Sequence, residues 1–183
     1  MILAIWASWP RHESVWHEDR VVSSRFELEM ADRFLAGTVG EPGDRTFYFQ
    51  VTVGRSSVSF KCEKFHVGGL ADHLAKLLID LPSESAVSAP FGALAMPVFA
   101  EWNVGNIALG YEPSQDRIVI ELHEVEDDSI PVEDRGRVRF FISRAQAKAF
   151  VDNGPALVGA GRPTCRLCGS SIDPDGFNCV CFN

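Results

Sequence analysis

Nowhere does the chain offer the roughly 20 consecutive apolar residues that a membrane-spanning helix requires. Its apolar start, Met1 to Pro10, is too short for that and lacks the positive flank and small-residue cleavage site of an export signal. Basic residues are scarce, 17 Lys and Arg against 25 Asp and Glu, for a formal net charge of -8. That balance argues against sequence-independent attraction of the whole molecule to nucleic acid or to an anionic membrane. No two of the five histidines form a His-x-x-x-His pair, so a helical two-histidine metal site is excluded. Val158-Gly159-Ala160-Gly161 lacks the further glycine and the lysine of a phosphate loop and follows a helical pattern, so it reads as a helix stop. No assembled catalytic set is visible. With no export signal, a reducing cytoplasm is the expected compartment.

Cysteine, in contrast, is concentrated. Four of the five, Cys165, Cys168, Cys179 and Cys181, fall within Gly161 to Asn183, a spacing that points to one structural zinc per chain in a small ribbon-like tail. The apolar residues there, Leu167, Ile172, Phe177, Val180 and Phe182, bury too little to offset an ordering cost of about 1–2 kcal/mol per residue. Structural zinc supplies roughly 10–16 kcal/mol of apparent binding free energy to sites of this kind. Gly169 after Cys168 suits a tight knuckle. Cys179 and Cys181 are one residue apart, which leaves open whether both ligate. An iron-loaded or unmetallated tail is an alternative, and a redox Cys-x-x-Cys would want a strand-to-helix setting that is not seen here. Cys62, alone on an alternating stretch, reads as a small buried hydrophobe.

At 183 residues and 46% hydrophobic, the remainder is ordinary globular material. Compared with itself, it shows the same signals twice. Phe34-x-x-Gly37 matches Trp102-x-x-Gly105, and Glu41-Pro42 with Asp44-Arg45 matches Glu112-Pro113 with Asp116-Arg117. Each turn feeds an alternating strand, Thr46 to Val53 or Ile118 to Val125, then a third strand, Ser57 to Cys62 or Arg137 to Ile142, and then a helix. Leu70, Leu74, Leu77, Leu78 and Leu81 form one stripe on the first helix, about Phe65 to Leu81, and Ser143-x-x-Gln146 opens the second as a capping box. A strand from about Ser23 to Met30 precedes them. The expected fold is α+β: two β-β-β-α repeats with antiparallel sheets covered by helices, plus the zinc tail. The expected segments are an irregular extension or overlong start at 1–21, a first repeat at 22–81, a linker at 82–98, a second repeat at 99–160 and the tail at 161–183.

Three functional readings arise. Structural metal spacing without catalytic groups suggests a non-enzymatic interaction or regulatory protein whose tail docks an unidentified protein partner. Charge is uneven: nine acidic residues accompany Arg117 between Glu112 and Asp134, whereas seven basic residues face only Asp152 between Arg135 and Arg166. Arg137, Arg139, Arg144, Arg162 and Arg166 would be the contacts of a nucleic-acid-binding alternative, although neutralisation by the acidic stretch is the plainer expectation. Glu121 and His123 share a strand face and would serve an enzyme with its site between the halves; an ion ladder of Glu121 with Arg137 and Arg139 is the structural alternative. His66 and His73 read as a solvated helix face.

Phe34-Leu35-Ala36-Gly37-Thr38-Val39-Gly40-Glu41-Pro42-Gly43-Asp44-Arg45, Gly161-Arg162-Pro163-x-Cys165-x-Leu167-Cys168-Gly169 and Asp173-Pro174-Asp175-Gly176 resemble an uncharacterised actinobacterial family, the domain of unknown function 3090. The likeness runs from about Phe26 to the carboxyl end. It implies a cytosolic protein with no assigned reaction. In the family pattern a Gly-His-x-Cys follows the Cys-x-x-Cys, so its presumed third ligand falls where this chain has Phe177, with Cys181 as the natural substitute.

Overall fold

Alternating β-branched and aromatic residues become strands wherever turn residues bound them. The computed structural model describes residues 25–41, 43–81, 88–159, 165, 167–168 and 181. Strand β1 is Arg25–Met30, β2 Arg33–Val39, β3 Thr46–Val53 and β4 Ser56–Cys62, followed by helix α1, Lys64–Asp80. Strands β5 (Ala100–Glu112), β6 (Arg117–Glu124) and β7 (Arg137–Ile142) lead into helix α2, Arg144–Gly159. The order strand, strand, strand, helix thus occurs at β2-β3-β4-α1 and again at β5-β6-β7-α2.

The strands make one mixed sheet in the order β1-β7-β6-β5-β4-β3-β2. Antiparallel sheets were expected; β1 runs parallel to β7, and β4 parallel to β5. The parallel pairs follow from how the sheet closes. β1 and β2 stand at opposite edges of the ladder, a separation of roughly 29 Å if the sheet were flat, yet only Ala31 and Asp32 join them. Two residues cannot span that gap, so the sheet curls until its edges meet. The joint is hydrogen-bonded on both sides: the Ala31 N–H donates to Phe141 O of β7 and the Asp32 N–H to Thr52 O of β3, each at 2.9 Å. Strand β5 alone does what β1 and β2 do together. Ala100 and Asn103 pair with Ser59 and Lys61 of β4, and from Val104 onward, across a bulge at Gly105, the strand pairs with β6.

Pairing also sets the two hairpins side by side. Counted back from the hairpin-closing pairs Val39–Thr46 and Glu112–Arg117, Gly37 corresponds to Gly110 and Phe34 to Ile107, not to Gly105 and Trp102. The first hairpin needs its glycine: Gly40 has φ +104°, and a Cβ there would lie 2.4 Å from Asp44 O. In the second hairpin Asp116 takes φ 47°, a conformation Asp tolerates better than most residues.

Phe34 unites the core. Its ring stacks on Phe150 of α2 at 5.1 Å and meets Phe140 of β7 at 5.0 Å and Phe49 of β3 at 5.8 Å. The α1 stripe begins earlier than its leucines suggest: Val67, Leu70, Ala71 and Leu74 are buried, while Leu77 and Leu78 are partly covered. Of the expected linker, residues 88–98 are described and lie as a strap. Ala89 N–H donates to Ala145 O, and Ala95 is held by the buried Gln50 through both its N–H and its carbonyl.

Candidate metal centre

Beyond α2, at the far end of the chain, the Sγ atoms of Cys165, Cys168 and Cys181 all lie within 4.8 Å of one another. A tetrahedral ion with metal–sulfur bonds of about 2.3 Å would space its sulfurs about 3.8 Å apart, so the cluster is compact enough to supply three corners of such a site. The Leu167 N–H donates to Cys165 Sγ at 3.4 Å, the kind of amide contact that stabilises a ligating thiolate. Cys165 is only 3% exposed, whereas Cys168 and Cys181 are exposed. These three cysteines can hold a metal ion. Cys179 lies outside the described residues, as do Phe177, Arg162 and Arg166. Cys62 is apart from the cluster, buried on β4, and burial pushes its thiol well above the ordinary range, which keeps it neutral and inert.

The charged residues of the second hairpin are tied to one another. Arg144 at the start of α2 donates from Nε to Asp116 at 2.7 Å and from Nη2 to the Tyr111 hydroxyl at 3.1 Å, and Tyr111 in turn donates to Asp116. The Tyr111 hydroxyl and then Arg144 hold the Asp116 carboxyl below its ordinary range, and Arg117 does the same to Glu112. Arg117 also covers the Phe141 ring at 3.8 Å. Further along the same face Glu121 is opposite Arg139 in register, accepts from His123 Nε2 at 2.9 Å and pairs with Arg137 at 3.4 Å. Glu121 and His123 therefore do share a face and touch, as members of a ladder that includes Arg137. His123 and Arg137 border an open cleft of about 640 Å³.

His66 departs from expectation. Instead of lying on a solvated face it is 7% exposed. Its Nδ1 accepts from the Glu63 N–H at 3.0 Å, which places the ring proton on Nε2, facing Gly105 O at 3.3 Å. The second helix repeats the device with an amide. Ser143 N–H donates to Gln146 Oε1 and Ser143 Oγ accepts from the Gln146 N–H, as the capping box predicts. Gln146 Nε2 then donates to Ala31 O and Asp32 O. Each helix start is thus fastened to the bend of a long strand. Only the local half of this arrangement has a sequence signal, the x-x-Gln after Ser143.

Fold and cysteines together define a closed mixed α/β domain with a carboxyl-terminal thiol cluster. The chain belongs to the protein family of unknown function DUF3090, whose model matches residues 26–179. Comparison with curated proteins and with solved structures gives no match. Among the described residues no helix is long and apolar enough to cross a membrane.

Proposed function

We propose that this chain is a non-enzymatic interaction or regulatory protein. One structural zinc ion, bound by Cys165, Cys168 and Cys181 with Cys179 as the fourth ligand, fastens its tail and creates a docking surface for another protein. The observation that carries this reading is the convergence of three thiols, one of them accepting a backbone N–H, in a segment poor in apolar residues. Leu167, 73% exposed between two of the ligands, supplies an apolar contact on that surface. The barrel serves as the rigid platform, and its two strand-strand-strand-helix stretches are a duplication. Zinc thiolates need a reducing compartment, so a cytoplasmic location belongs to the same proposal.

A nucleic-acid surface has less support, because Arg144 and Arg137, two of its contacts, are engaged by Asp116 and Glu121. An acid–base role for Glu121 and His123 is weakened by Arg137, which shares the same carboxylate.

Metal analysis of purified full-length protein is expected to give one zinc per chain, and a chelator to raise amide exchange at Leu167, Cys168 and Cys181 while β3 and β6 stay protected. A folded, protected tail without zinc would end the metal reading. Recovery of the same binding partners by wild type and by Cys165→Ser would end the docking reading.

A further inference from the structure

Between the amino-terminal half of α1 and β5 lies a cleft of about 370 Å³, distinct from the thiol cluster. Phe65, Gly69 and His73 line it, spaced i, i+4 and i+8, and so stand in one row on the helix. Eight residues of helix rise about 12 Å, with the glycine at the midpoint. Gly69 has an ordinary helical conformation, and a Cβ there would meet nothing within 4 Å. Neither backbone geometry nor packing therefore asks for glycine, which weakens a helix interior. Its effect is to open a notch between two rings. Phe65 forms one wall, 69% exposed, with the buried His66 ring behind it at 4.0 Å, and β5 backs the notch with Ile107 and Leu109.

The polar chemistry of the notch is set by hydrogen bonds. His66 has both ring nitrogens engaged, by the Glu63 N–H and by Gly105 O. His73 contacts Gly69 O through Nδ1 at 2.7 Å; a carbonyl only accepts, so Nδ1 carries the proton and Nε2 of the neutral ring is an acceptor. We infer that this notch is a binding site for a planar bicyclic heteroaromatic molecule bearing an N–H donor, its rings lying over Gly69 between Phe65 and His73 and its N–H directed to His73 Nε2.

Titrating the full-length protein with indole and with 1-methylindole, followed by amide NMR, tests this. Indole is expected to shift the Gly69, His73 and Ile107 amides saturably, and 1-methylindole, which lacks the donor, to bind about fivefold more weakly. Gly69→Leu fills the notch and is expected to abolish both responses with no loss of thermal midpoint. His73→Phe keeps the ring, removes the acceptor and is expected to erase the difference between the two ligands. Unmoved amides with indole, equal affinities for the two ligands in wild type, or binding retained by Gly69→Leu would each overturn the inference.

Discussion

Gln50 sits on β3 with 2% of its surface exposed, and every polar atom of its side-chain amide is used. Nε2 donates to Ser59 Oγ at 3.0 Å and to Ala95 O at 3.1 Å, and Oε1 accepts from the Ala95 N–H at 2.7 Å. The side chain stands in for a missing strand partner of the strap. Gln50→Leu keeps the volume but leaves the Ala95 backbone and the Ser59 hydroxyl without partners, so we expect a loss of about 2–3 kcal/mol, read by urea denaturation, with faster exchange of the Ala95 amide. A second residue-scale consequence concerns pH. Asp116 and Glu112 titrate below their ordinary values of 3.8 and 4.5 because Tyr111 with Arg144, and Arg117, favour the carboxylates. Groups with lowered folded values contribute stability that is complete above the ordinary value and is lost as pH falls through the lowered one. The urea midpoint should therefore drop on acidification below about pH 4.5, and Asp116→Asn should shallow that drop; an unchanged slope would refute the assignment. The Glu121 ladder was readable from alternation along β6 and β7. His66 was not, because nothing local distinguishes a histidine that caps its own helix and reaches a strand 39 positions away from one facing water.

At the scale of elements, the two helices are anchored by the same construction with different chemistry. The third residue of each, His66 or Gln146, accepts from the backbone N–H just before the helix and donates to a carbonyl where a long strand bends, Gly105 in β5 or Ala31 and Asp32 between β1 and β2. Glutamine satisfies both demands in α2, so it should serve in α1. His66→Gln is expected to stay within about 1 kcal/mol of wild type, whereas His66→Ala should cost about 2 kcal/mol through two unpaired backbone groups. Amide exchange over Lys64 to Val67 should rise in the alanine variant alone. Equal losses in the two variants would mean that the ring acts by packing. Element order and boundaries were legible: Thr46 to Val53 and Arg137 to Ile142 agree with the observed strands, since a period of two bounded by Gly, Pro and Asp has few other solutions. The sequence match set Phe34 beside Trp102 because an aromatic followed three residues on by glycine occurs at both, whereas by ladder position Phe34 stands level with Ile107 and Gly37 with Gly110, which only pairing reveals.

For the whole molecule, closure decides what the parts can do alone. Parallel pairing of β1 with β7, and of β4 with β5, joins residues far apart in sequence. Alternation says which face of a strand is buried but not which neighbour it takes, so antiparallel sheets were the natural expectation and the closed mixed sheet lay beyond the sequence. Closure also merges the core: Phe34 and Phe49 come from before the strap, and Phe140 and Phe150 from after it, yet their rings form one cluster. Neither stretch can bury this cluster without the other. The barrel should then unfold as one cooperative unit, with Val51 on β3 and Ile120 on β6, both essentially unexposed, exchanging their amides through the same global opening. Phe34→Ala should cost about 3–5 kcal/mol and lower the exchange free energies of the two amides equally. If Val51 were weakened while Ile120 kept its protection, the stretches would be independent folding units and the shared core would carry no cooperativity.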